Sequence, residues 1–147
     1  MIPYFFSKGP LPDELSSVFS ELVNDLNDLS SKDEALKEVY KIISLRFRAS
    51  RLKVILRSRR IFLKDPEIMW KKNFLYCHQM NYLLRLLLVK SRWFEDDDIK
   101  LKYSLVYYFM PHQYLKIRIS DNQYMNVDPW GRSFGVKLGD YLYGFHG

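Results

Sequence analysis

At 147 residues with a single cysteine, the chain has the length of one ordinary domain, able to bury a core without disulfide staples. Net charge is +6, and apolar runs such as Leu86 to Val89 fall far short of the ~20 residues a bilayer-spanning helix needs, which excludes a membrane partner of that kind. Residues 1–10 lack a basic start followed by a long apolar stretch, and one cysteine cannot pair within the chain, so the expectation is a soluble, cytoplasmic protein in a reducing compartment.

Gly9, Pro10 and Pro12 mark residues 1–10 as an extended lead-in to a single domain over 1–147. Leu11-Pro12-Asp13-Glu14 reads as a helix start, because Leu15, Val18, Phe19, Leu22, Val23 and Leu26 follow at helical spacing. Ser30-Ser31-Lys32-Asp33-Glu34 starts a second helix, with a serine cap and acids at the positive end of the dipole. From Arg51 to Leu63 the pattern fits either a helix or an irregular segment. Asp65-Pro66-Glu67 restarts a short helix, and Phe74 to Lys90 is so rich in leucine that burial on most sides is expected. Glu95-Asp96-Asp97-Asp98 reads as a surface loop.

Periodicity two then replaces the helical period. Lys102 to Phe109 is rich in strand formers, Pro111 ends that strand, and His112 begins another. In the second strand Leu115, Ile117 and Ile119 share one face, while His112, Tyr114, Lys116 and Arg118 share the other. Ser120-Asp121-Asn122 is turn chemistry, Gln123 to Asp128 returns, and 141–147 reads as a flexible tail. Helices first and an antiparallel sheet afterwards give the class α+β.

Three residues carry chemistry in this order. Cys77 heads the leucine-rich helix, where the dipole favours a thiolate and a free amide can bind an oxyanion. His112 lies on the polar face of its strand, available as a base. Asp128 can fix the imidazole tautomer, as a nucleophile, base and orienting acid require. His78 adjoins Cys77, but neighbours on a helix point about 100° apart, so it is the poorer base. His146 falls in the tail. For His112 and Asp128 to face each other the hairpin must fold about Ser120; a tight turn at Asp121-Asn122 puts Leu115 opposite Asp128 and separates the pair unless a bulge or wide loop absorbs the offset.

The segment Val39 to Lys64 holds Lys41, Arg46, Arg48, Arg51, Lys53, Arg57, Arg59, Arg60 and Lys64 with no acid. Such a block can be a solvated helix face or a patch that holds nucleic acid or an acidic protein. One cysteine and three dispersed histidines give no metal-ligand spacing, and no glycine-rich phosphate loop occurs, so neither a metal nor a cofactor is expected.

Cys77 with Gln79 and Asn81 on one helix, the strand from His112, and the Val127-Asp128-Pro129-Trp130-Gly131 ending together resemble the transglutaminase-like superfamily of the papain-like cysteine fold. The resemblance covers roughly Asp33 to Asp140. It implies an antiparallel sheet packed on the helix of a nucleophilic Cys77, with His112 as general base and Asp128 orienting it. The activity implied is amide or peptide hydrolysis or acyl transfer through a thioester, on a peptide or other amide or ester substrate. Trp70, Gln79, Tyr108, Tyr114 and Trp130 are candidates for the cleft, and Trp70, Asn73 and Gln79 for a second oxyanion donor. The alternative is a non-catalytic module of the same fold that binds through Arg46, Arg48, Arg51, Lys53, Arg57, Arg59 and Arg60.

Overall fold

The computed structural model describes residues 2–144. Helices come first and a three-stranded antiparallel sheet, in the order β1-β2-β3, follows, so the class is α+β. No helix among the described residues is long and apolar enough to cross a membrane.

Helix α1 (Ser17–Asn27) begins later than its sequence signal, because Ser16 takes the extended cap conformation, and Leu11 and Leu15 reach the core from irregular backbone instead. Helix α2 (Lys32–Arg46) starts as its cap dictates. Ser31 Oγ accepts the Glu34 amide at 3.2 Å, and the Glu34 carboxylate accepts the Ser30 amide at 2.9 Å. The ambiguous basic stretch resolves into helix α3 (Arg51–Leu56), which buries none of its residues, and a 3-10 turn over Ser58–Phe62. Helix α4 (Pro66–Trp70) has Asp65 as its cap, accepting the Glu67 amide at 2.8 Å.

Helix α5 (Cys77–Lys90) is the centre of the molecule, and from His78 to Leu88 every residue is buried. It starts at Cys77 rather than at Phe74, because Tyr76 is extended and the Gln79 side chain returns to accept the Tyr76 amide at 3.0 Å. Most of its buried polar atoms find partners on neighbouring elements, while Asn81 Oδ1 and Arg85 Nε take no hydrogen bond among the described residues. Asn81 donates to the Gln113 carbonyl at 2.9 Å, tying the helix to the sheet, and Arg85 donates to the carbonyls of Lys8 and Gly9.

The sheet comprises β1 (Ile99–Val106), β2 (Met110–Ser120) and β3 (Gln123–Val127). Pro111 does not break β2 but lies within it, paired with Leu105. It is tolerated because β3 pairs with β2 only as far as Leu115, so the sheet has no third strand beside Pro111 that would need its missing amide.

The acid cluster lies at the surface as expected at Glu95 and Asp97, which are exposed, but its last member Asp98 is buried as a structural joint. Asp96–Asp98 forms a 3-10 turn, and the buried Asp98 carboxylate accepts from Arg118 at 2.8 and 2.6 Å, from Lys32 at 3.2 Å and from the Glu95 amide at 3.0 Å. Burial opposes ionisation of Asp98, but the Glu95 amide, Arg118 and Lys32 outweigh it and hold the carboxyl below its usual value. Its stabilising contribution is therefore complete above the ordinary carboxylate range and disappears only as pH falls through that lowered value. Asp98→Ala is expected to destabilise the fold by about 2 kcal/mol near neutral pH, read from the urea midpoint, with the difference from wild type shrinking in acid.

Two terminal segments differ from expectation. Residues 3–7 form turns and bends rather than an extended segment, with Tyr4 at φ 60°, and Phe5 is buried. The Tyr103 hydroxyl and the Gln113 side chain both donate to the Phe5 carbonyl, at 2.6 and 2.7 Å, and the Tyr82 hydroxyl donates to Pro10 at 2.8 Å. At the other end, 141–144 is packed rather than loose. Tyr141 stacks on Tyr114 at 4.2 Å, Leu142 is buried, and Gly144 pairs with the backbone of β1. The tail residues 145–147, His146 among them, and Met1 lie outside the described residues.

Candidate active site

Register decides whether His112 and Asp128 can meet. Asp121 and Asn122 do form a tight turn, with Asn122 at φ 61° and Ser120 paired to Gln123. Taken alone, that register would set Asp128 against Leu115. The ladder shifts between Ser120 and Arg118, however, and Ile119 is left over as a one-residue bulge. Beyond it Arg118 pairs with Tyr124 and Leu115 with Val127, so the next residue, Asp128, falls beside Tyr114 and on the face that carries His112. One extra residue thus turns a separated pair into a facing one.

The His112 Nε2 donates to Asp128 Oδ2 at 2.7 Å, and both side chains are buried. The carboxylate is held from three directions. Its other acceptor bonds come from the Gly131 amide to Oδ1 and the Leu142 amide to Oδ2, each at 2.9 Å. Gly131 has to be glycine for steric reasons: a Cβ there would lie 2.6 Å from Asp128 Oδ2. Gly131→Ala is expected to displace the carboxylate, lowering stability by about 1–3 kcal/mol in urea denaturation and weakening the His112 contact. Trp130 covers the pair, its ring centroid 5.3 Å from that of His112.

With Nε2 committed to Asp128, Nδ1 of His112 is the ring nitrogen left for chemistry, and His112 and Cys77 line the same cavity. Burial opposes ionisation of Cys77, but hydrogen bonds and charge from His112, and secondarily from His78, bring its pKa down to about 6. Burial likewise opposes protonation of His112, yet Asp128 and the Cys77 sulfur raise its pKa to about 10. Between these values the pair is a thiolate beside an imidazolium. The His112 contribution to stability is complete below its ordinary value of 6.5 and lost as pH rises through about 10; that of Cys77 is complete above 9.0 and lost as pH falls through about 6. In the overlap the two slopes cancel, because folding moves one proton from sulfur to imidazole without net uptake.

His78 is closer to the chemistry than helix geometry alone predicts. Its Nε2 donates to the Ile61 carbonyl at 3.1 Å, and it lines the same cavity as Cys77, whose pKa it helps to lower. Cys77, the first residue of α5, keeps a backbone amide with no carbonyl inside the helix to bond.

Cys77, His78 and His112 open onto a cavity of about 240 Å³. Of the five cleft candidates only Trp130 lines it among the described residues. Trp70 packs against Phe19 and Phe47 in the core, and Tyr114 is stacked on Tyr141. Tyr108 is exposed at φ 61° in the β1–β2 turn. Gln79 spends its amide on the carbonyls of Arg60 and Leu63, so it is not a free oxyanion donor, and Asn73, which accepts from Arg57 at 3.2 Å through Oδ1, does not line the cavity. Sequence reasoning missed the other walls: Phe5 and Phe6 from the N-terminal segment, and Val54 of α3, whose carbonyl accepts the Tyr76 hydroxyl at 2.7 Å. The aromatic pair Phe5-Phe6 ahead of a glycine-proline break was the available signal.

The basic segment is partly structural. Arg46 donates to the Trp70 carbonyl at 3.1 and 2.7 Å and lies over the Trp70 ring, and Arg51 lies over Tyr107 and Phe134. No family model matches this chain, and no curated protein or solved structure is significantly similar to it.

Proposed function

We propose that the chain is a cysteine-dependent acyl-transfer enzyme of transglutaminase-like, papain-like type. The observation that carries this is the connected series Cys77, His112, Asp128 at the start of a buried helix, opening onto a cavity. The Cys77 thiolate attacks the carbonyl carbon of an ester or amide, and the oxyanion forms beside the Cys77 amide. The bond to the leaving group breaks, His112 gives that group its proton, and a thioester remains on Cys77. Neutral His112 then removes a proton from water or an amine, which attacks the thioester. The carbon–sulfur bond breaks, the thiolate is regenerated, and the acid or amide departs. Asp128 orients the ring throughout and stabilises its charged form.

A binding module built on the basic segment is the weaker reading, because Arg46 and Arg57 are engaged by Trp70 and Asn73. The test is intact mass after brief exposure to 4-nitrophenyl acetate. An acetyl adduct on Cys77 that is absent from Cys77→Ala and disappears with time is expected. An unmodified Cys77, under conditions that acetylate free cysteine, would overturn the reading.

A further inference from the structure

The walls of the cavity state what kind of acyl group it accepts. Apart from Cys77, His78 and His112 the described lining is mostly aliphatic or aromatic; the Tyr76 hydroxyl is already bonded to Val54, and the Trp130 Nε1 is buried without a hydrogen-bond partner among the described residues. Next to this chamber lies a second, of about 140 Å³, and the two share Val54, Val106, Met110 and Trp130 as walls. The second chamber adds Arg51, Ile55, Tyr107, Phe134 and Leu142. A glutamine side chain or peptide strand placed along these walls would bury more amide groups than the few polar lining atoms, such as the Trp130 Nε1, can partner, which is unfavourable, whereas each buried methylene is favourable. Cys77 lines the first chamber and not the second.

Resting on the acyl-transfer reading above, we propose that the substrate is an ester or thioester of an unbranched aliphatic acid, its carbonyl at Cys77 and its chain running past Val54 and Trp130 into the second chamber. The acyl carbon bonds to the Cys77 sulfur as its bond to the alcohol or thiol breaks. That leaving group takes its proton from His112, and water later releases the fatty acid. Val54 and Met110, as the shared walls, set which chain lengths pass. Val54 belongs to α3, which is packed only lightly, so its replacement alters the passage without opening the core.

The experiment compares acylation of Cys77 by 4-nitrophenyl acetate, butanoate, hexanoate and octanoate, each rate divided by that for free cysteine. The normalised rate is expected to rise by about fourfold per buried methylene over the shorter chains. Val54→Trp, which fills the passage, is expected to lower the octanoyl-to-acetyl ratio at least tenfold. Octanamide titrated into the Cys77→Ala protein provides a readout independent of chemistry: a saturable change in tryptophan fluorescence that is absent when Trp130 is also replaced by Phe is expected, with affinity weakened at least tenfold on shortening to acetamide. Flat or falling rates with chain length, while acetate still acylates Cys77, would overturn the substrate assignment and leave the acyl-transfer reading standing. Failure of every ester to acylate Cys77 would remove that reading, and this inference with it. Equal fluorescence responses to octanamide and acetamide would overturn the apolar cleft directly.

Discussion

His112→Ala is expected to slow alkylation of Cys77 by iodoacetamide at pH 7 by up to roughly 30-fold, as the thiol returns from about 6 toward the ordinary value of about 8.5 and the thiolate becomes a minor species. The direction follows from the balance of causes at the sulfur. Burial acts to raise the thiol, and what overcomes it is first the hydrogen bond with His112 and then that with His78. Removing the larger favourable contact leaves burial less opposed. His78→Ala is therefore expected to shift the alkylation midpoint in the same direction but by less. Equal shifts would mean that both rings share the thiolate, and a larger shift for His78→Ala would reassign the base.

Replacing Asp128 separates structure from chemistry. Asp128→Ala removes the acceptor for His112 Nε2 and for the Gly131 and Leu142 amides, leaving three donors without their partner in a buried site. A loss of about 3–5 kcal/mol in urea denaturation is expected, the range for breaking a buried charged pair by deleting one member. Asp128→Asn keeps the shape and one carbonyl oxygen, so most of that stability should return. The negative charge does not return. With it goes support for imidazolium: the His112 pKa should fall from about 10, and the Cys77 midpoint should rise from about 6. A variant folded as well as wild type but with a less reactive thiol would show that Asp128 acts through His112. If Asp128→Asn alkylates with the wild-type pH profile, the carboxylate has only a packing role.

Much of the architecture was legible because it rests on local rules. Ser31 and Asp65 cap their helices with the side-chain bonds their identities imply, and the leucine density from Leu83 to Val89 marked the central helix. The alternation of Leu115 and Ile117 against His112 and Tyr114 placed the two faces of β2. What was not legible depends on contacts distant in sequence. The Leu142 amide reaches Asp128 and Tyr141 stacks on Tyr114, so 141–144, read as loose from its glycines, is a clamp on the site. Phe5 becomes a cavity wall because Tyr103 and Gln113, about a hundred residues on, hold its carbonyl. The bulge at Ile119 is likewise invisible to strand periodicity, since period two continues through β2 while the partner slips by one residue. Helix geometry fixes where the His78 side chain leaves the backbone but not its contact with the Ile61 carbonyl, which is distant in sequence.

The central claim is that the fold holds Cys77 as a thiolate beside the His112 imidazolium. The direct measurement is the second-order rate of Cys77 alkylation by iodoacetamide in the wild-type protein from pH 4.5 to 10. A sigmoid with its midpoint near 6 is expected, with the rate already close to its plateau at pH 7. A midpoint near the ordinary thiol value of about 8.5 would contradict it.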